Sequence, residues 1–213
     1  VQLTNDSSPS EARRIARDIP TVFLISHAVE WTSSVLLDDV RAGQVAARYL
    51  LDAGHTDIAL VGGTATHDAA NRREQGFRAA LDAERLTVPD RRIARVGFSV
   101  EDGAAGFARI FARDERPTAV VVANVNAAVG VLDEARAEGY RVPDDVSVIA
   151  VGDSDVATHS WPPLTAVRLP LYELGRAAVA QVEHLTGGGE PERVVVREPE
   201  PVVMERDSVR SPA

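Results

Sequence analysis

The sequence predicts an α/β protein whose parallel sheets are covered by helices on both faces. Three observations carry that prediction. Short runs such as Ile58-Ala59-Leu60-Val61 are apolar on every residue, which suits strands buried on two sides. Amphipathic stretches of helical period lie between such runs. The two kinds alternate along the chain, as βα units do. With 213 residues the chain can form one large domain or two smaller lobes, each with a real core.

The elements follow in order. Ser8-Pro9-Ser10-Glu11 combines a capping serine, a proline suited to the first helical position and a capping-box acid, so a helix is expected over 9–18. Thr21–Ile25 reads as a buried strand, followed by a loop carrying His27 and Trp31. A helix over 39–53 gathers Val45, Ala46, Tyr49, Leu50 and Ala53 on one face and stops at Gly54. Ile58–Val61 is a strand, Gly62-Gly63 a turn, and 72–83 a helix. A strand is expected at 93–96 and a helix at 101–112, then a strand at 118–123 and a helix at 127–138 closed by Gly139. The last pair is a strand at 146–151 and a helix at 172–185 ended by Gly187-Gly188-Gly189. Ser34–Asp39 and Trp161-Pro162-Pro163-Leu164-Thr165 read as crossings between lobes, the second because its prolines make it stiff and poor in donors. The polar tail after Arg206 reads as frayed.

Composition excludes several functions. There is no cysteine, which removes disulfides, zinc–thiolate sites, iron–sulfur ligation and thiol nucleophiles. All 23 basic residues are arginine. A Walker phosphate loop, a Schiff-base enzyme and a Ser-x-x-Lys hydrolase each require the missing lysine. The formal charge of −9 repels phosphate backbones, so these residues are not expected to contact nucleic acid themselves. No run approaches 18 consecutive apolar residues, and no signal segment opens the chain, so no membrane association is expected.

The motifs that could carry chemistry have plainer readings. Gly62-Gly63 could cradle a phosphate at a helix N-terminus, but the G-x-G-x-x-G spacing is absent and a tight βα turn explains it. Gly152-Asp153-Ser154-Asp155-Val156 nearly spells a nucleophile elbow; Val156 replaces the second glycine and crowds the turn, and His159 is too close in sequence for a triad. His27, His55, His67, His159 and His184 show no paired metal-ligand spacing. Asp38-Asp39 and Asp144-Asp145 sit at helix or strand ends, where capping and the helix dipole account for them. No catalytic site, metal site or cofactor is expected.

Several segments together resemble a known family. They are Arg41-Ala42-Gly43, Leu51-Asp52-Ala53-Gly54-His55, Val61-Gly62-Gly63, Arg73-Glu74-Gln75-Gly76-Phe77, Val142–Val151, Pro162–Arg168 and Glu173–Ala178. In that order and spacing they resemble the effector-binding region of the lac/gal repressor family. The resemblance implies two Rossmann-like lobes of the periplasmic-binding-protein type closing on a small effector, residues 1–37 with 169–197 forming one and 38–168 with 198–213 the other. It further implies a cytoplasmic homodimer that reaches operator DNA through a helix-turn-helix headpiece, with effector and operator coupled allosterically. Measured against the family, the N-terminal lobe is expected to be incomplete in this sequence and the headpiece to lie outside it. A solute-binding receptor of a membrane transporter shares the fold and is the rival reading; a hydrolase built on Ser154 is a distant third.

The resemblance also carries over pocket residues. Arg73 matches the family arginine that holds ligand hydroxyls or carboxylates; a helix-surface salt bridge is the other reading. Phe98 matches an aromatic that stacks on the ligand, or else is a plain core residue. Asn124 at a strand end can donate and accept, and Asp153 stands beside the position of a family acid. Ile25, Val125, Gly152 and Leu169 occupy positions that are polar in the family. Losing those groups costs about 1–3 kcal/mol for each charged hydrogen bond, so a simple hexose is a poor fit. An effector that is more apolar, or anionic and held by Arg73, or no effector at all, is expected instead.

Overall fold

Residues 19–25, 32–112 and 115–212 are described by the computed structural model. The expected helix over 9–18 and the loop with His27 and Trp31 lie outside the described residues. The chain divides into two compact units. One comprises Val1–Asp38, Thr66–Ala69 and Pro170–Glu200; the other comprises Asp39–Ala65, Ala70–Leu169 and Pro201–Ala213.

The larger unit holds a six-stranded sheet. In chain order its elements are α1 (Asp39–Asp52), β3 (Ile58–Gly62), α2 (Asp68–Ala83), β4 (Ile93–Arg95), α3 (Val100–Phe111), β5 (Ala119–Val122), α4 (Val125–Ala137), β6 (Ser147–Val151), α5 (Asp155–His159), β7 (Thr165–Arg168) and β9 (Val202–Met204). Here β3 is the third described strand of the chain and α1 its first described helix. The strand order is β4-β3-β5-β6-β7-β9, parallel except for β9, which runs antiparallel to β7.

Alternate residues of each strand feed opposite faces. Ala59, Val61, Val120, Val122, Val148 and Ala150 pack under α3 and α4 with Phe107, Ile110 and Val131. Ile58, Leu60, Ala119, Val121, Ile149 and Val151 pack under α1 and α2 with Ala46, Leu50, Phe77 and Leu81. Both faces are therefore dry, which is why the strands carry no polar alternation. The aromatic layer beneath α3 is stacked, with Phe107 and Phe111 ring centroids 4.0 Å apart and Tyr140 edge-on to both.

Neighbouring helices touch backbone to backbone at glycines. A Cβ on Gly43 would stand 2.1 Å from the Arg73 carbonyl oxygen, and one on Gly76 would stand 1.9 Å from that of Val40. The same reciprocal contact joins α3 and α4: Gly103 against the Ala127 carbonyl at 1.9 Å and Gly130 against that of Val100 at 1.8 Å. Only a residue without a side chain allows these approaches.

The smaller unit contains β1 (Val22–Leu24), β2 (Ser33–Leu37), α6 (Leu171–Thr186) and β8 (Arg193–Val196). Its three strands run parallel in the order β1-β2-β8. Every residue of β2 is buried, and Ser33 Oγ accepts from the Glu192 amide at 3.1 Å, which satisfies a hydroxyl at the strand start.

The α/β class matches the sequence reading, and two details are corrected. Trp161–Thr165 does not cross between units, since all of Ala70–Leu169 stays in the larger one, and Thr165 already begins β7. The tail beyond Arg206 is not frayed at its start. Buried Ser208 accepts from the Thr165 amide at 2.8 Å and donates to the Val148 carbonyl at 2.6 Å, so the tail fastens β6 to β7. The Arg210 carbonyl then accepts from His55 Nε2 at 2.9 Å. No helix among the described residues is long and apolar enough to cross a membrane.

Candidate functional site

In the larger sheet the chain goes from β3 outward to β4, then returns past β3 to β5 and continues outward on the other side. The reversal between β3 and β5 is a topological switch point. The carboxyl ends of strands at such a point leave a crevice where open α/β sheets bind ligands. Gly62-Gly63 ends one of these strands and Ala123-Asn124 follows the other.

Arg73, on α2, reaches this crevice from one side. Its Nη1 donates to the Ala123 carbonyl at 2.5 Å, its Nε to Asp39 Oδ1 at 2.9 Å, and its Nη2 lies 2.8 Å from the same oxygen. The residue is 8% exposed and Asp39 is 0% exposed. Arg72 closes on the other carboxylate oxygen, with Nη2 to Asp39 Oδ2 at 2.6 Å. Asp39 therefore does more than favour a helix start. It holds two arginines of α2, and the Gly43 and Gly76 contacts set the helix separation that lets it do so.

Asn124 caps α4 by accepting from the Ala127 amide at 2.8 Å. Its Nδ2 donates to the Phe98 carbonyl at 3.0 Å, fixing the loop between β4 and α3. That loop is pinned again where Ser99 and Asp102 form a reciprocal capping box. Arg73, Asn124 and Phe98 are thus brought together around the end of β5, with Phe98 half-buried.

Asp153, just past β6, belongs to a second cluster. Arg168 Nε and Nη2 donate to its Oδ2 at 3.0 and 2.8 Å, and Arg206 Nη2 donates to Oδ1 at 2.7 Å. Burial by itself would raise this carboxyl's pKa, but the hydrogen bonds from Arg168 and Arg206 outweigh it and hold the group below its ordinary value.

The four residues that replace polar groups of the family lie on different segments of the fold. Val125 is the first residue of α4, Leu169 packs against the α1–α2 side of the core, and Gly152 stands at φ 101° past β6. Ile25 lies in the other unit, at the end of β1, and is exposed. Sequence reasoning missed Asp39, Arg168 and Arg206. The pairing of Asp39 with Arg72 and Arg73 spans 33 and 34 residues, and no local spacing signals it.

The remaining candidates are locally occupied. His159 Nδ1 donates to the Asp155 carbonyl at 2.7 Å, one turn back on its own helix, and no hydrogen bond links it to Ser154 among the described residues. No group of three or more acidic or histidine side chains among the described residues could hold a metal ion. An open cavity of about 440 Å³ lies at the opposite, amino end of the strands, lined by Thr56, Asp57, Arg91, Arg92, Glu115 and Arg116 among others.

Comparison with known proteins is consistent with this geometry. Residues 47–209 match the periplasmic binding protein-like domain family. The HTH-type transcriptional repressor PurR of Vibrio cholerae (strain M66-2) is 33% identical over 199 residues, covering 91% of this chain and 58% of the repressor. The crystal structure of a LacI family transcriptional regulator from Mycobacterium smegmatis superposes with a TM-score of 0.93 at 33% identity, covering 100% of this chain and 78% of that one. The cellobiose complex of the transcriptional regulator CelR gives a TM-score of 0.80 at 32% identity over 88% of this chain and 58% of that one. The chain therefore spans a little over half the length of its curated relative.

Proposed function

The chain belongs to the periplasmic binding protein-like domain family, in the form carried by LacI-type transcriptional regulators, and from that premise we propose that it is the effector-sensing region of a bacterial DNA-binding regulator. Its work is binding and coupling, with no bond made or broken. A small effector rests at the carboxyl ends of β3, β5 and β6. Phe98 and Asn124 line its seat, and Arg73 and Asp153 hold the polar groups around it. The effector favours one of two conformations, and that preference changes DNA affinity by the same factor in both directions. The working form is a homodimer in the cytoplasm, as the family resemblance implies. Operator contact comes from a headpiece outside these 213 residues.

The observation that carries this reading is the convergence of Arg73, Phe98 and Asn124 at the β3–β5 switch point. The relatives are regulators, which favours this reading over a transport receptor. The test uses the full-length protein. Duplexes selected by it from a random pool should be near-palindromic, and at least one small metabolite should shift their affinity tenfold or more, about 1.4 kcal/mol. A full-length protein that selects no duplex, and is instead exported with a transporter, overturns the proposal.

A further inference from the structure

The proposed seat has an unequal charge at the end of β6. Arg168 and Arg206 share the single carboxylate of Asp153, which is 6% exposed, so the cluster is net positive in a chain of net charge −9. Arg206 is the inner partner, with Nη1 donating to the Leu164 carbonyl at 2.6 Å as well. Arg168 is different. Its side chain is 54% exposed, and Asp153 takes only the edge of the guanidinium formed by Nε and Nη2. The end-on edge, Nη1 with the second N–H of Nη2, has no partner among the described residues.

A guanidinium clamped along one edge is a pre-oriented bidentate donor along the other, and a carboxylate or two phosphate oxygens fit that fork. There is also room beside it. Pairing of Val151 with Val167 brings Gly152 level with Arg168, and a Cβ built on Gly152 meets nothing within 4 Å. A neutral polyol would need an acceptor at this strand end, and Asp153 already accepts from both arginines.

The geometry points to Arg168 as a specificity-determining residue that reads a carboxylate or phosphate group of the effector over the open floor at Gly152, with Asp153 positioning its guanidinium. This rests on the proposed effector seat and adds the chemical class of the ligand. Binding of inorganic phosphate, succinate and glucose to the full-length protein, by calorimetry at constant ionic strength, tests it. At least one of the two anions should bind saturably and more tightly than glucose, and which of them binds separates phosphate from carboxylate effectors. Arg168→Gln should weaken anion binding at least tenfold. Arg168→Lys, which keeps the charge and the fold but lacks the fork, should also weaken it. Arg116→Gln, at the opposite end of the strands, should leave it unchanged. Failure of both anions to bind, glucose binding as tightly as either, or undiminished anion binding in Arg168→Gln overturns the inference. Glucose binding that Asn124→Ala abolishes and Arg168→Gln does not would sink the anion reading while leaving the effector seat standing. If no metabolite alters DNA affinity, the seat itself falls.

Discussion

At the scale of single residues, Asp39 shows how far a buried charge can reach. Fully buried, it satisfies Arg72 and Arg73 at once, and Arg73 in turn fastens the end of β5. Asp39→Ala leaves two guanidiniums facing each other, one of them buried, and breaking such a pair costs about 3–5 kcal/mol. Urea denaturation should show a loss of that size; a loss under about 1 kcal/mol would mean the arginines find other partners. His55 is a second buried polar residue, 2% exposed, at the other end of the sheet. The Arg210 carbonyl can only accept, so Nε2 carries a proton, and Nδ1 lies 2.9 Å from Thr118 Oγ1. Burial lowers its pKa below the ordinary 6.5, against a smaller raising effect of the Arg210 carbonyl. The unfolded chain thus takes up the proton first. The stability tied to this group is whole above about pH 6.5 and drains away as pH falls below it. His55→Gln should flatten that part of the urea-midpoint curve between about pH 7 and 5, while an unchanged slope would assign the acid sensitivity elsewhere.

At the scale of elements, the helix pairs α1–α2 and α3–α4 repeat one device. In each helix a glycine follows by three residues the carbonyl that meets the partner's glycine: Val40 and Gly43, Arg73 and Gly76, Val100 and Gly103, Ala127 and Gly130. Gly130→Ala sets two effects against each other. Alanine favours the helix by about 1 kcal/mol. Its Cβ would stand 1.8 Å from the Val100 carbonyl oxygen, and overpacking of that kind costs about 1–3 kcal/mol or more. Backbone cannot swing aside as a flexible side chain can, so the clash should win, with a net loss of about 2 kcal/mol. Gly175→Ala in α6, where an added Cβ meets nothing within 4 Å, should instead stabilise by about 0.5–1 kcal/mol. Thermal unfolding of the two variants should therefore move in opposite directions. Those crossings were not legible beforehand, because a glycine in a helix pattern does not reveal what approaches it. The major helices were legible, since their apolar faces repeat at 3.6 residues; α2 starts at Asp68, earlier than the expected 72. The sequence does not mark β2, β7, β8 and β9, since Ser33-Ser34 and Thr165 break the apolar signature and the Val-rich runs of β8 and β9 are only three residues long. Their burial and pairing come from partners far along the chain, as when Ser34 pairs with Arg193.

At the scale of the whole molecule, charge bears on whether these residues can contact nucleic acid themselves. The chain is −9 at neutral pH, its basic residues are all arginine, and among the described arginines most are committed to carboxylates, as with Arg92 on Asp57, Arg95 on Glu74 and Arg141 on Asp145. The sequence names Arg73 and Asn124 as candidates by residue type, while their hydrogen bonds to Asp39, the Ala123 carbonyl and the Phe98 carbonyl come only from the fold. Residue type marks a position as polar, and only the fold decides whether its partner is a ligand or the protein. Binding to a DNA backbone draws its affinity from releasing counterions through unpaired cations, and nonspecific binding by proteins equipped for it runs at about 10⁻⁴–10⁻⁶ M. A surface of the opposite sign forfeits that term and adds repulsion that reaches about a Debye length, roughly 8 Å at physiological salt. These 213 residues alone should therefore give no fluorescence-anisotropy change with duplex DNA up to about 100 µM protein, at low or physiological salt. The full-length protein should bind the same duplex, with an affinity that falls steeply as salt rises. Micromolar DNA binding by this chain alone would place the nucleic-acid contact within these residues. DNA reading and effector sensing would then have to share one surface.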